Sequence, residues 1–306
     1  MVEKLQKIWV DGELVAWDEA KVHVLTHSLH YGVGAFEGVR CYKRADGKSS
    51  MFRVREHVDR LFDTCRMVLL QPKFTREQVV CACADTLKAN GLEEGYIRPV
   101  VFMGEGAMGI FAPNNPVRTS IIAWRWGAYL GDEALKNGIR AKISSFARHH
   151  INVSLAKAKM MGQYTNSVLA KREAKFGGYD EAILLDANGY VSEGSGENIF
   201  IVKRGKLFTP DLSSSILEGI TRDTVITLAR ELGLTVHEAR ITRDQLWLAD
   251  EAFLTGTAAE VTPVREVDNR SIGDGGVGPI TKQIQAKFFD VVRGSDDHHP
   301  EWFTAI

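Results

Sequence analysis

The sequence predicts an α+β protein of two domains, on three observations. Strands joined by tight hairpins outnumber strand–helix–strand alternations, which disfavours a doubly wound parallel sheet. The chain has 306 residues, enough for one large or two medium domains with a core in each. One stretch, "GAYLGDEALKNG", lacks a sustained apolar period and is rich in small and polar residues. The division is set there, with a smaller α+β domain over 1–130 and a larger one over 131–306.

Each element has a local reason. "KIWVDGELV" reads as a hairpin with Asp11 and Gly12 at the turn, and "GVRCYKRADGKSSMFRV" as another with Asp46 and Gly47. Val58, Leu61, Phe62 and Cys65 then recur at helical spacing. Thr75 and Gln78 form a capping box, opening a helix that Asn90 and Gly91 end. "YIRPVVFM" and "SIIAWRW" read as strands. In the second part "GIRAKISSF" alternates as a strand, and "NSVLAKREAKFGG" is a helix closed by Gly177 and Gly178. "EAILLDANGYVSE" is a hairpin turning at Asn188 and Gly189, and "NIFIVKRGKLFTP" is another. Val225, Leu228, Ala229 and Leu232 give one apolar helical face, stopped at Gly233. "AFLTGTAAEVTPV" is strand, tight turn, strand.

Composition excludes several classes. Apolar residues are 44% and charged residues 25%, as in ordinary globular proteins. A net charge of -1 leaves no basic footprint for nucleic acid or an anionic membrane. No run approaches the roughly 20 apolar residues of a membrane span, and "MVEKLQKIWVDGELV" lacks a signal-peptide core. Cys41, Cys65, Cys81 and Cys83 are too few and too uneven for a disulfide framework, so we read them as reduced thiols of a cytoplasmic protein.

Some motifs fail on inspection. "GEGAMG" has dinucleotide-loop spacing, but Pro113 and Pro116 forbid the helix that must follow. His23, His27 and His30 have no carboxylate or cysteine to complete a metal site, so no metal is expected. Ser195 in "EGSGEN" lacks the nucleophile elbow.

What survives begins at "SLAKAKMMGQYTNS". Lys157 and Lys159 sit among small and apolar residues, where a desolvated amine becomes nucleophilic. In an extended segment both share a face, so spacing leaves both open. Glu193 ends a strand just before the "GSG" turn. "LEGITRDT" starts a helix whose backbone N–H groups at Ile220 and Thr221 make an anion site. "TGTAAE" packs hydroxyls and small residues into a turn. Singly, these read more plainly as a snorkelling lysine, a solvated glutamate and an ordinary cap. Together, a lysine, a carboxylate and a phosphate cradle are what pyridoxal 5′-phosphate requires.

"KMMGQY", "SEGSGEN", "GITRDT" and "TGTAAEVTPV" resemble the successive signatures of the branched-chain amino acid aminotransferases, fold-type IV pyridoxal-phosphate enzymes. "FRVREHVDRL", "YIRPV" and "WGAYLG" extend the likeness into the first domain. The resemblance implies an active site at the domain interface. The family pattern K-x-x-G-x-Y fits Lys159, Gly162 and Tyr164 and fails from Lys157, which makes Lys159 the Schiff-base lysine and proton carrier. By the same resemblance Arg60 pairs with the cofactor phosphate, with Ile220, Thr221 and Thr257 as further contacts. Leu217 packs on the ring, Glu193 faces the ring nitrogen, and Tyr164 donates to the phenolic oxygen. Phe36, Trp126 and Tyr129 form the apolar substrate wall, and Tyr96 with Thr257 and Ala258 clamps the α-carboxylate. Tyr31 and the loop of Met108, Gly109 and Ile110 serve the neighbouring subunit, implying a dimer or a higher assembly such as a trimer of dimers. Arg98 shares a strand face with Tyr96 and is the candidate for the side-chain carboxylate of glutamate.

The implied reaction is ping-pong transfer of an amino group between leucine, isoleucine or valine and 2-oxoglutarate. Another fold-type IV enzyme, a D-amino acid aminotransferase or aminodeoxychorismate lyase, is the neighbouring alternative, opposed by "YIRPV" and "WGAYLG". A nicotinamide oxidoreductase would need the missing helix after "GEGAMG", and a cofactor-free interaction protein leaves the lysine and glutamate signatures unexplained.

Overall fold

The computed structural model describes residues 2–127 and 129–306, so Ala128 of the "WGAYLG" stretch lies outside the described residues. Two compact units emerge. The first is Met1–Trp126, Ala158–Tyr164 and Val291–Ile306; the second is Gly127–Lys157 and Thr165–Asp290.

The first break after Trp126 lies close to the expected one at 130, but a continuous division at 130 does not describe the units. The lysine segment joins the first unit because Met160 bridges Ala35 and Phe36 N donates to Lys159 O at 3.2 Å. The C-terminus joins it because strand Phe303–Ala305 pairs with Ser49–Phe52. Both pairings join residues far apart in sequence, which no local pattern reveals.

Among the described residues, the first unit carries an eight-stranded antiparallel sheet. Its order is Phe303–Ala305, Ser49–Phe52, Val39–Lys43, Gly95–Met103, Val117–Trp124, Lys7–Val10, Glu13–Ala16, with Gly34–Phe36 also on Gly95–Met103. The first hairpin turns where Asp11 and Gly12 both take positive φ (49° and 107°), the geometry a two-residue turn requires. Helices Val54–Met67 and Arg76–Ala89 bury Val58, Leu61, Cys65, Val79, Val80, Cys83 and Leu87 with Ile97 and Ile121 of the sheet. The Thr75–Gln78 capping box is formed, and Arg76–Ala89 begins behind it.

The second unit carries nine strands among the described residues. Their order is Val191–Gly194, Glu181–Leu185, Ile139–Ile143, Glu260–Val267, Glu251–Gly256, Asn198–Lys203, Lys206–Thr209, Val236–Glu238, with Arg270–Ser271 beside Glu260–Val267. Pairing is mixed: Ile139–Ile143 runs parallel to both neighbours and Val236–Glu238 parallel to Lys206–Thr209, and the rest is antiparallel. Val225, Leu228 and Ala229 of helix Ile220–Glu231 are buried as their spacing predicts. One difference lies in "GAYLGDEALKNG", which holds the short helix Asp132–Asn137. Six residues between Gly131 and Gly138 are too few to show an apolar period. No described helix is long and apolar enough to cross a membrane.

Candidate active site

In the first unit Lys159 is fixed through its backbone. Its N–H donates to Thr64 Oγ1 at 3.0 Å, and its side-chain Nζ lies 2.7 Å from Tyr164 Oη. Phe36 packs edge-on to Tyr164 at 4.7 Å, with its ring 5.2 Å from the amine. The intervening Gly162 is a close-approach glycine: its N–H donates to Gly32 O at 3.0 Å, and a Cβ on Gly32 would stand 2.9 Å from Gly162 Cα. A Cβ on Gly162 itself would stand 3.3 Å from Gly32 O, a tight fit at that position.

Lys157 goes elsewhere. The chain turns at Ala156 and Lys157 instead of running extended, so the two lysines do not share a face. Lys157 Nζ donates to Leu212 O at 2.7 Å and Ile216 O at 3.0 Å, and faces Glu218 at 3.7 Å, all in the second unit. Burial pushes its amine down, against the pull of Glu218. Two carbonyls and a carboxylate occupy Lys157, whereas Lys159 points at a phenol.

Arg60 is held by a group the sequence reading missed. Its Nε lies 2.7 Å from Glu37 Oε1 and its terminal nitrogen 2.9 Å from Oε2, while His57 Nδ1 lies 2.7 Å from the same Oε2. Glu37 and His57 are buried. Burial alone would raise the Glu37 carboxyl, but the Arg60 charge and the His57 contact outweigh it and hold it well below the usual carboxylate range. Burial also lowers His57, against its contact with Glu37. The only sequence signal was a lone acid in the small and apolar run "YGVGAFEGV".

Arg98 contrasts with Arg60. Its guanidinium lies among three rings, 4.9 Å from the centre of Phe36, 5.4 Å from Tyr96 and 5.7 Å from Trp124. It donates to Tyr96 Oη at 3.3 Å, has a buried Nε without a hydrogen-bond partner, and has no acidic partner among the described residues. Tyr96 also meets Trp126 edge-on at 4.7 Å. A Cβ at Gly38 would lie 1.7 Å from Tyr96 Oη, so only glycine admits that phenol. Phe36, Tyr96, Arg98, Trp126, Lys159, Tyr164 and Arg60 are thus all in one unit. Tyr31 and the loop form a separate cluster: Gly109 N donates to Tyr31 Oη at 3.1 Å, and Gly109 O lies 2.8 Å from His27 Nε2. Tyr31, Met108 and Ile110 are exposed, Ile110 almost fully at 93%.

The second unit gathers the acidic group. Glu193, only 6% exposed, lies on Val191–Gly194 and not at a solvated hairpin end. Its Oε2 accepts from Leu217 N at 3.0 Å and Asn198 Nδ2 at 3.1 Å, and its Oε1 lies 3.0 Å from Arg148 Nε. Helix Ile220–Glu231 has Gly219 as its N-cap, with no side-chain cap. A Cβ at Gly219 would stand 1.9 Å from Asn198 Oδ1. Ile220 and Thr221 are buried at that start, while Thr257 and Ala258 are half-buried in the turn between Glu251–Gly256 and Glu260–Val267. The Thr255 hydroxyl beside that turn is buried without a partner. Tyr129 belongs to this unit, not with Phe36 and Trp126, and Lys171 Nζ lies 5.2 Å from its ring centre. Glu197 lies nearby, its carboxyl pushed up to about 8 by burial and by the charge of Glu181. Arg148, Asn198, Glu181, Lys171 and Glu197 escaped the sequence reading because their roles depend on pairing across strands.

The donor set suits pyridoxal phosphate. It offers an amine beside a phenol, a buried carboxylate braced by arginine and amide, and a helix start that carries a glycine in place of a side-chain cap.

Residues 34–267 match the model of the family described as amino-transferase class IV. The branched-chain-amino-acid aminotransferase of Pseudomonas aeruginosa is 51% identical over 306 residues, covering 100% of this chain and 99% of that one. The crystal structure of the Escherichia coli branched-chain amino acid aminotransferase superposes with a TM-score of 0.96 at 46% identity, covering 98% and 99% of the two chains. A further branched-chain amino acid aminotransferase, designated T.th. and complexed with N-(5′-phosphopyridoxyl)-L-glutamate, gives 0.93 at 44% identity, with 98% of each chain covered.

Proposed function

The chain belongs to the class IV amino-transferase family, with branched-chain amino-acid transamination as its activity and pyridoxal phosphate as its cofactor, and from that premise we propose that it exchanges amino groups between leucine, isoleucine or valine and 2-oxoglutarate in two alternating half-reactions. When bound, the cofactor accepts the amino group from one substrate and passes it to the next, its ring withdrawing electrons from the reacting carbon.

In this proposal the chain's own residues divide the work. Lys159 would hold the cofactor through its amine between turnovers and, freed when substrate takes its place, would carry the proton taken from the substrate's Cα onto the cofactor. Tyr164, already at 2.7 Å from that amine, steers it and would donate to the cofactor's phenolic oxygen. Glu193 would hold the ring nitrogen's proton; Arg148, Asn198 and the Leu217 N–H keep its carboxylate aimed. Leu217 would pack on the ring. Arg60, braced by Glu37, would hold the phosphate with the Ile220 and Thr221 N–H groups and Thr257. Phe36, Trp126 and Tyr129 would exclude water around the substrate side chain, and Tyr96, Thr257 and Ala258 would take its α-carboxylate.

The observation that carries the choice of 2-oxoglutarate is Arg98, a guanidinium among aromatic rings with no acidic partner among the described residues. A wholly apolar pocket would charge several kcal/mol for an unpaired glutamate side chain. A cation softened by rings accepts that carboxylate, and leucine can lie against the rings instead. The complex of the T.th. relative with a glutamate-bearing cofactor adduct supports the same reading. Tyr31, Met108, Gly109 and Ile110 would complete a neighbour's pocket, which makes the working enzyme at least a dimer in the cytoplasm. The test is the visible spectrum of the purified enzyme. Its band should bleach with L-leucine and return with 2-oxoglutarate; failure to return would remove 2-oxoglutarate as acceptor. Sedimentation of a fully active monomer would overturn the shared pocket.

A further inference from the structure

We propose that Lys171 is a positioning residue that holds Tyr129, and that the buried carboxylate of Glu181 holds Lys171; the consequence for catalysis rests on the assignment of Tyr129 to the substrate wall. Lys171 projects from helix Tyr164–Phe176 with its side chain only 21% exposed. A surface lysine on a helix ordinarily extends its ammonium into water. This one turns inward: its Nζ bonds Glu181 Oε2 and lies 5.2 Å from the centre of the Tyr129 ring.

Glu181 is built to receive it. The residue is fully buried on strand Glu181–Leu185, and its other oxygen accepts from Ser195 Oγ at 2.6 Å and Ala182 N at 2.8 Å. A carboxylate bonded on both oxygens has little freedom, so the ammonium it binds is fixed as well. Glu197, beside it, accepts from Gly196 N at 3.0 Å, its carboxyl pushed up to about 8 by burial and by the charge of Glu181. Lys171 is thus fixed at the Glu181 carboxylate with the Tyr129 ring beside it. Tyr129 needs such a hold because it sits in a turn outside any helix or strand. The same chain of contacts reaches Ser195, two residues beyond Glu193, so it braces the turn after the proposed ring-nitrogen partner as well.

The test compares Lys171→Met, Lys171→Arg, Tyr129→Phe and the Lys171→Met/Tyr129→Phe pair in the holoenzyme. Steady-state kinetics with L-leucine are read beside the rate of limited proteolysis in the 127–131 segment. Lys171→Met should raise KM about tenfold with less than about a threefold loss in kcat, because a misplaced wall weakens binding more than chemistry. It should also speed cleavage. Lys171→Arg should recover most of both effects, and Tyr129→Phe should add little to Lys171→Met. Unchanged KM and unchanged cleavage would overturn the hold. Faster cleavage with unchanged KM would support the hold and remove Tyr129 from the pocket, so the two assignments fail separately. Should Lys171→Met not fold, Tyr129→Leu removes the ring but leaves the Lys171–Glu181 pair intact; unchanged cleavage there would overturn the hold, and unchanged KM would remove Tyr129 from the pocket.

Discussion

The lysine-bearing group of the first unit and the glutamate-bearing group of the second are built on opposite charge balances. The first sets Arg60, Arg98 and Lys159 against a single buried carboxylate, Glu37. The second sets Glu181, Glu193 and Glu197 against Arg148 and Lys171. Burial penalises unpaired charge in both. The first group places Arg98 among aromatic faces and Lys159 beside a phenol; in the second the Glu197 carboxyl is pushed up to about 8. The lesson is that a surplus charge left inside a fold marks where a ligand is expected. Arg98 and Lys159 are that surplus on the basic side, and Glu193 is the acid most firmly braced on the other.

The largest break in this contrast should come at Lys159. Lys159→Ala should cut turnover by about 10⁴-fold or more, with the chain still folded and still retaining cofactor. Lys157→Ala, which removes a lysine already spent on two carbonyls and Glu218, should keep the spectrum of the bound cofactor. Borohydride trapping followed by mass spectrometry checks both; a tag on Lys157 would reverse the assignment.

On the acidic side, Glu193→Gln should slow turnover roughly 10²- to 10³-fold with little loss of cofactor, since a neutral amide cannot hold the ring-nitrogen proton as well. Near wild-type turnover in that variant would remove the role.

Glu37→Gln tests the balance of the first unit through stability. Breaking a buried pair leaves Arg60 uncompensated, at a cost of about 3 kcal/mol at neutral pH. The sign in acid follows from the depressed carboxyl. The stabilisation is fully present above the unfolded-state value near 4.3 and is lost progressively as pH falls below it. His57, lowered by burial, loses stability in the same direction from about 6.5 downward. Denaturant midpoints between about pH 7 and 3 should therefore fall less steeply in Glu37→Gln than in the parent; parallel curves would show that the pair does not control acid stability.

The smallest expected effect is also the most selective. Arg98→Ala should slow the half-reactions with glutamate and 2-oxoglutarate roughly ten- to a hundredfold, the worth of a charge-assisted hydrogen bond, while leucine changes much less. Stopped-flow traces of each half-reaction separate the two. Equal losses would assign Arg98 to the α-carboxylate that both substrates share.

Local chemistry alone determined a good deal of this protein. The Asp11–Gly12 turn, the Thr75–Gln78 capping box and the apolar face of Val225, Leu228 and Ala229 each depend on residues a few positions apart, and all three are present in the fold. Between the two lysines the residues alone left the choice open; it was the resemblance, through the family pattern K-x-x-G-x-Y, that pointed to Lys159, whose Gly162 lies close against Gly32. Tertiary structure decided what spacing left open. Lys157 and Lys159 part because a turn precedes Lys159 and the Ala35–Met160 bridge carries it into the first unit. Glu37 meets Arg60 only because strand Gly34–Phe36 leads it to helix Val54–Met67, more than twenty residues on. Arg98 lacks an acidic partner among the described residues, and Glu193 has Arg148, for the same reason. Charge pairing inside a protein is set by which strands and helices become neighbours, and that is a property of the whole fold.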